Sequence, residues 1–504
     1  MKGGLKTLAI VTRNFAPEAF PTQSVVRGRP PAQGSARLFQ LFGMASYPDS
    51  SHRINESEFN MKIITTILLL TTSSLVRAQV DTSAAGGSGQ AKAEPFAWGD
   101  FTWLQGNSRL HKQVLDSKYF TGDVTLDMNY NFNFNHPIDH TNSGSTATFR
   151  SDELNVSYIE AGGDFHDPES GARARLMLQF GTRATGVPRN DNTPLRGQFD
   201  LYTALRYVTE GYAGMHYDVM YGVNVDVGIF KSYVGLLGYN NFENWNYQPS
   251  FTSDNTPWFF TGIRIQTFPS DRWKMEYWII NGWQTYAMAN NQPGLGFQTI
   301  YRPEESVSLM GSGYVGWDTP NMPGRIRFHS DNSLLIRYRD EPGSSIPMAA
   351  FSITGDIGFE NGDGVVPFGG DSAKPAQNFL SWMFYNRLWL GQDKHFAWTF
   401  GGGMMHNPGR YLALLPTGAG ILTQNPGDKF DAWDFSTGFQ YMPNEHVTWG
   451  LEFVTRHANV PYFAGPGGLT SPNGWNPPFG DPTGFVADLV KDENRIIGSI
   501  IVRF

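Results

Sequence analysis

The clearest feature of the chain is an alternation of apolar and polar residues with a period of two. Between Asp123 and Phe134 every even-numbered residue is apolar and every odd-numbered residue is polar. Because successive side chains of a strand point to opposite faces, this segment has one apolar face and one polar face. At about 3.3 Å per residue, it is long for a soluble domain and suits a tilted strand that crosses a bilayer.

The same alternation recurs along the chain. It is found in residues 174–180, 219–229, 334–338, 351–359 and 447–453. A soluble β-sandwich alternates in the same way, so the period alone leaves two classes open. Tyr, Trp and Phe recur near the ends of these segments, which is typical of the aromatic girdles of membrane barrels. We therefore predict an all-β fold, a transmembrane antiparallel β-barrel of about 16 strands, within a range of 14 to 18.

Composition narrows the class of protein further. Charged residues make up 17% of the chain, against about 25% in soluble domains. No stretch reaches the roughly 20 apolar residues that a membrane-spanning helix needs. The chain has no cysteine, which excludes disulfides, thiolate metal sites and thiol catalysis. A formal net charge of −8 argues against a nucleic-acid partner.

An export signal is predicted inside the chain, starting at Met61. Lys62 supplies a positive charge, residues 63–70 form a short apolar core, and Ala78 ends a cleavage site before Gln79. Residues 1–60 show no sustained period and are interpreted as the product of a misassigned start codon or as a disordered extension. We therefore expect four parts, which are the extension (1–60), the signal peptide (61–78), a flexible periplasmic leader (79–95) and the barrel (96–504).

Connections and the final strand carry further signals. Residues 245–257, 405–431 and 458–485 are too long for periplasmic turns, and the last of them predicts an extracellular loop or one folded inward to narrow a pore. Residues 198–211 have a helical spacing and predict a short helix. The final alternating strand ends in Ile500, Val502 and Phe504, a pattern that resembles the signal read by the bacterial barrel-assembly machinery.

Five motifs carry a resemblance to a known family. They are Gly99-Asp100-Phe101-Thr102-Trp103-Leu104, Val225-Asp226-Val227-Gly228-Ile229-Phe230, Asn241-Phe242-Glu243-Asn244-Trp245, Asn255-Thr256-Pro257-Trp258-Phe259-Phe260-Thr261-Gly262-Ile263-Arg264 and Phe328-His329-Ser330-Asp331-Asn332-Ser333. From about Phe96 to Phe504 the chain resembles the putative β-barrel porin-2 family of bacterial outer-membrane proteins. The resemblance implies a barrel and a pore, and it implies no defined substrate and no catalytic residues.

The polar face of the predicted strands supplies the candidate site. If the apolar face meets lipid, charged residues of both signs line the lumen and create a transverse field that favours small polar solutes. The alternative is that they pair across strands and fill a narrow barrel. The pore-lining candidates are Asp123, Asp127, Arg173, Arg175, Asp226, Arg264, Lys274, Glu276, Arg337, Arg339, Asp356, Glu360 and Glu452.

Motifs for other chemistry are weak. Residues 311–316 match GxGxxG, but Pro320 follows shortly and no helix opens there. Residues 360–364 are interpreted as a polar turn because they lack the full acidic spacing of a calcium loop. The sequence contains no GxSxG and no HExxH motif. We expect no catalytic residues, no metal and no cofactor.

Together these features predict a porin-like channel of the Gram-negative outer membrane, through which small hydrophilic solutes or ions diffuse passively. The alternatives are a non-conducting structural or adhesion barrel and an outer-membrane enzyme. Expected partners are outer-membrane lipid, the barrel-assembly machinery, small polar solutes and, for a homo-oligomer, further copies of the chain.

Overall fold

A closed antiparallel barrel of sixteen strands forms the body of the protein. The computed structural model describes residues 94–188, 191, 200–371, 373–409, 430–473 and 483–504. The predicted fold class and strand number are confirmed. The predicted extension, the signal peptide and all but the last two residues of the leader lie outside the described residues.

The wall consists of β1 to β15 and β18. The bounds are β1 (Phe120–Asn133), β2 (Leu154–His166), β3 (Ala172–Phe180), β4 (Val208–Tyr217), β5 (Val223–Lys231), β6 (Phe259–Ser270), β7 (Trp273–Ile280), β8 (Gly294–Glu304), β9 (Val307–Gly316), β10 (Ile326–Asp340), β11 (Met348–Asn361), β12 (Asn378–Leu390), β13 (Phe396–Asn407), β14 (Phe430–Tyr441), β15 (Val447–Ala458), β16 (Phe463–Ala464), β17 (Leu489–Val490) and β18 (Asp492–Arg503). Strands β16 and β17 pair with each other outside the barrel sheet.

Each wall strand pairs with its neighbours in sequence until β18 closes the ring. Strand β18 pairs with β15 on one side and with β1 on the other, where Met128 lies opposite Ile500. The connections alternate in length. Those such as 167–171 and 305–306 are short, and those such as 134–153 and 232–258 are long. We call the two ends of the barrel the short-turn end and the long-loop end.

The two faces of the wall follow the predicted alternation. In β1, Asp127 and Asn131 are at most 1% exposed, while Met128 and Tyr130 are about 40% exposed. The polar face therefore points into the barrel and the apolar face points outward. Several exposed aromatic side chains lie on the outer face near the short-turn end, and these are Trp273, Tyr301, Tyr338, Phe396, Tyr441, Trp449 and Phe504.

Two predicted elements differ from the observed ones. The segment 219–229 does not begin as a strand, because Val219 and Tyr221 lie in a turn and β5 starts at Val223. Gly222 closes that turn with a φ of 123° and donates its N–H to the Val219 carbonyl. The helix predicted for residues 198–211 is confirmed only for Leu201–Leu205, because Val208 already pairs with β3.

Helical structure is confined to short pieces. These are α1 (Arg183–Gly186), α2 (Leu201–Leu205), α3 (Phe251–Asp254) and a 3-10 turn at Asn241–Glu243. Over the ranges that the structure covers, no helix combines the length and the apolar character needed to cross a bilayer. Residues 311–316, which match GxGxxG, lie within β9, an extended strand.

Candidate functional site

One long connection enters the barrel and crosses its interior. We call this connection between β5 and β6, residues 232–258, the inner loop. It includes α3 and buries Trp245 and Phe251 almost completely. Its polar contacts reach β14 and β15, which lie on the opposite side of the ring from β5 and β6. The inner loop therefore divides the lumen.

Carboxylates on the far wall hold the inner loop by its backbone. The two oxygens of Glu452 accept hydrogen bonds from the N–H groups of Tyr247 (2.6 Å) and Gln248 (3.1 Å). Asp434 accepts from the N–H of Phe251 at 2.8 Å and from the neighbouring hydroxyl of Ser250 at 2.8 Å. Hydrogen bonds to ionised groups are about twice as strong as neutral ones. They fix a segment whose N–H groups have no strand partner.

A buried ion pair adds to this attachment. Arg456 of β15 pairs with Asp254 of α3, and both side chains are 0% exposed. Thr146, from the connection between β1 and β2, donates to Asp254 through its N–H (2.9 Å) and its hydroxyl (2.6 Å). Burial raises the pKa of Asp254, although Arg456 and the Thr146 hydrogen bonds act to lower it. Three separate parts of the chain thus meet at one carboxylate.

The inner loop is also held from β1 and β12. Asp127 accepts hydrogen bonds from the Tyr247 hydroxyl (2.7 Å) and from the Asn241 amide (2.9 Å). Arg387 donates to the Trp245 carbonyl at 3.1 Å. Two of the predicted pore-lining residues, Asp127 and Glu452, are therefore anchors of the inner loop.

On the other side of the inner loop, a partly open space remains. A cavity of about 290 Å³ lies between the inner loop and strands β4 to β9. Charged side chains of both signs line it, namely Glu210, Lys231, Glu243, Arg264, Lys274 and Glu276. Aromatic rings complete the lining, and these include Tyr233, Tyr239, Trp258 and Trp278.

The charged residues around the cavity are paired with each other. Lys274 lies 2.9 Å from Glu276, Arg264 lies 2.8 Å from Asp226, and Lys231 lies 2.9 Å from Glu160. These pairs hold positive and negative charge in fixed positions. A small polar solute in the cavity would meet charged groups of both signs.

The remaining predicted site residues also lie on wall strands, and all but Arg339 face the interior. Arg339 follows a bulge in β10, and its partly exposed side chain pairs with Glu341 of the adjoining turn. Arg175 pairs with Asp123 (3.2 Å), and Arg173 approaches Asp226 (3.4 Å). Further along the wall, Arg337 pairs with Glu305, Arg339 with Glu341, His329 with Asp356 and Arg327 with Glu360. Cross-strand pairing, the alternative left open by the sequence, thus describes much of this set.

Several charged residues of the interior were not predicted from the sequence. Arg456 and Arg495 follow the same period of two as Glu452 and Arg503 in their strands, so the pattern could have found them. Asp254 and Arg183 lie in connections, where no period marks the direction of a side chain. Within the residues covered by the structure, no group of three or more His, Asp or Glu side chains is arranged to hold a metal ion.

A second long connection meets the inner loop. Tyr462 and Phe463, which follow β15, are buried, and their rings lie about 6 Å from that of Phe251. They belong to the predicted long stretch 458–485, and this described part packs inward. Residues 474–482 of that stretch, and most of the stretch 405–431, lie outside the described residues.

Comparisons with solved structures return outer-membrane proteins at low identity. OmpT of Vibrio cholerae, in a trimer form, is 8% identical, with 77% of this chain and 100% of that chain covered and a TM-score of 0.45. An anion-selective porin from Comamonas acidovorans is 11% identical, with 76% and 99% covered and a TM-score of 0.45. The channel DcaP of Acinetobacter baumannii is 11% identical, with 80% and 100% covered and a TM-score of 0.44. No curated protein sequence matches the chain significantly.

A family model settles the classification. The model described as "Putative beta-barrel porin-2, OmpL-like" matches residues 119–504. The match begins one residue before β1 and ends with the chain, so it spans the whole barrel wall. The motif at residues 99–104, on which the resemblance also rested, precedes the matched range. The chain belongs to the putative β-barrel porin-2, OmpL-like family.

Proposed function

We propose that the protein is an outer-membrane porin through which small hydrophilic solutes and ions diffuse passively. The observation that carries this proposal is the contrast between the two faces of the barrel wall. An apolar outer face encloses an interior with charged groups of both signs around a cavity. Charged side chains cost about 2–4 kcal/mol on the lipid face at mid-depth and are tolerated in a polar lumen.

The route for solutes lies on the cavity side of the inner loop. Arg264, Lys274 and Glu276 of the predicted pore-lining set line the cavity directly. Most of the other members of the set support the lumen wall by pairing across strands or by binding the inner loop, whereas Arg337 and Arg339 pair near the short-turn end. In outer-membrane barrels the short turns face the periplasm and the longer loops face outward, so the short-turn end is assigned to the periplasm.

The decisive experiment is single-channel recording of the protein purified from outer membranes and inserted into planar bilayers. Stepwise conductance is expected, and its reversal potential in a salt gradient gives the ion preference. A control with detergent alone excludes leakage. A barrel that is folded, as judged by heat-dependent electrophoretic mobility, and that remains silent both as the native protein and in its folded variants would overturn the porin function and favour a structural or adhesion barrel.

We also propose how the protein is exported and assembled. We assign residues 61–78 to a cleaved signal peptide, so the first residue of the purified protein should be Gln79, as N-terminal sequencing or intact mass can show. The outward-facing Ile500, Val502 and Phe504 are assigned to recognition by the barrel-assembly machinery. Phe504→Ala should lower the amount of folded barrel in the outer membrane, whereas Ile138→Ala, at an exposed position in a connection, should leave it unchanged.

A further inference from the structure

The segment before β1 crosses the mouth of the barrel at the short-turn end. We call residues 96–110 the strap. Phe96 donates its N–H to the Asp271 carbonyl (2.7 Å) in the β6–β7 turn. Arg109 donates to the carbonyls of Asn444 (3.3 Å) and Val447 (2.8 Å) at the β14–β15 turn. These two turns lie half-way around the ring from each other, so the strap spans the diameter of the mouth.

The strap is packed into the opening. Trp103 is 1% exposed and donates its indole N–H to the Glu305 carbonyl at 3.0 Å. On its inner side the strap meets the inner loop, where the Trp245 indole donates to the Trp103 carbonyl (3.0 Å) and Gly106 donates to the Glu243 carbonyl (3.0 Å). Gly106 also lines the cavity. The strap therefore lies between the cavity and the short-turn end.

Aromatic rings of the strap lie against arginines of the wall. The Arg302 guanidinium lies 4.4 Å from the ring centre of Phe96 and 4.5 Å from that of Phe101. Arg272 lies 4.3 Å from the ring centre of Trp98. Such cation–π contacts attract without neutralising the cation. Among the described residues, neither Arg302 nor Arg272 forms an ion pair with a carboxylate. Arg302 is partly buried beneath the strap, whereas Arg272, at its edge, is exposed.

The strap is joined to the wall in a way that permits release. It adds no strand to the barrel sheet, because its contacts are single hydrogen bonds and ring contacts and not a ladder of strand pairs. Its removal would leave every strand pair of the ring intact. The contacts of the strap can therefore open without opening the barrel.

We propose that the strap is a plug that gates the short-turn mouth, and that its displacement uncovers an arginine-lined opening that favours anions. This inference rests on the proposed porin function. In the plugged state the rings of Phe96 and Phe101 shield the partly buried Arg302, and the strap closes the path from the cavity to the short-turn end. In the open state the Arg302 guanidinium faces the solution beside Arg272, which is exposed already, and the two charges attract anions into the lumen.

A reversible crosslink tests the gate. A Cβ atom built on Gly99 would lie 2.5 Å from the Cγ atom of Glu305, so cysteines at these two positions are close enough for a disulfide. The chain has no cysteine of its own, so Gly99→Cys combined with Glu305→Cys gives one defined bond. In planar bilayers we expect the oxidised protein to lose most of its conductance and to regain it on reduction. Each single variant, treated in the same way, serves as the control.

A second variant pushes the strap out. Gly106 has a φ of +77°, and a Cβ atom there would overlap the Leu236 carbonyl oxygen of the inner loop. Gly106→Val should therefore displace the strap, raise the conductance and shift the reversal potential toward anions. Gly343→Val is the matched control, because Gly343 also has a positive φ but a Cβ atom there would meet nothing within 4 Å. Adding Arg302→Gln to Gly106→Val should reverse the shift toward anions.

The outcomes separate the two proposals. Equal conductance of the oxidised and reduced double-cysteine protein, together with a Gly106→Val protein that conducts like the Gly343→Val control, would overturn the gate and leave the porin function standing. Silence of the folded protein in every state, including Gly106→Val, would overturn the porin function itself. Larger conductance without any anion shift would overturn the role assigned to the arginines.

Discussion

The two sides of the inner loop use similar residues for different purposes. Toward β12–β18, inward-facing Glu452, Asp434 and Arg456 bind the backbone and the α3 carboxylate of the loop. Toward β4–β9, inward-facing Lys274 and Glu276 pair with each other and line open space. A charged residue at an inward position thus becomes an anchor where a connection reaches it and a lumen wall where none does.

This difference has an energetic consequence. A charged residue that anchors the inner loop is buried on all sides. If its partner is removed, the remaining charge cannot be hydrated, and the free energy of unfolding falls. A cavity residue that loses its partner can turn to the solvent that fills the lumen. We therefore expect stability to depend on the anchored side and ion preference to depend on the cavity side.

The largest effect is expected where the anchored side loses its buried cation. Arg456→Met leaves Asp254 buried without its arginine and should lower the free energy of unfolding by about 3–5 kcal/mol. Urea titration of the barrel in lipid vesicles measures it. Lys118→Met, which breaks the exposed pair with Glu169, is the control and should leave the unfolding midpoint unchanged. Equal midpoints for the two variants would contradict the idea of an anchored side.

A matched pair of tyrosines compares the two sides directly. Tyr247→Phe removes a hydrogen bond to the buried Asp127 and should cost about 1.5–3 kcal/mol, because the acceptor is charged. Tyr233→Phe, on the cavity side, removes a hydrogen bond of 3.1 Å to the Gly313 carbonyl and should cost about 0.5–1.5 kcal/mol. The same urea titration serves both variants. The reverse order would show that the cavity side holds the loop more firmly.

The smallest effect on stability is expected on the cavity side of the inner loop. There the measured quantity is the reversal potential of the channel. Lys274→Gln removes one positive charge from the cavity lining and should shift the reversal potential in a salt gradient toward cations. Lys118→Gln makes the same change in charge at an exposed position outside the cavity. Identical reversal potentials for the two variants would place the ion path elsewhere.

The barrel wall could be predicted from the sequence because its signal is local. Every second residue of β1 faces the interior. The alternation from Asp123 onward predicts this even when the partner strands are not known. The failure at residues 219–222 is also local, because Gly222 ends the apparent alternation in a turn. The apolar–polar alternation predicts which face of the sheet a side chain lies on. It does not predict where the chain turns.

The contents of the lumen could not be predicted in this way. The hydrogen bond between Trp103 and Trp245 joins residues 142 positions apart, and the one between Arg456 and Asp254 joins residues 202 positions apart. Arg456 lies on the period of its strand, but Trp103, Trp245 and Asp254 lie in segments with no period that reveals their burial. The assignment of the barrel to residues 96–504 therefore included the strap, although the first wall strand begins at Phe120.

The position of β18 at the end of the barrel sequence determines when the barrel can close during synthesis and assembly. Arg503 and Asp123 pair at 2.9 Å although they lie 380 residues apart, and β1 has no second neighbour until β18 arrives. A ribosome therefore releases nearly the entire chain before the ring can close. Until then the exposed edge of β1 and the apolar outer face need protection from aggregation, since pairing of such distant segments is slow. In the bilayer, all sixteen strands can have hydrogen-bonded neighbours on both edges while their apolar outer faces contact lipid.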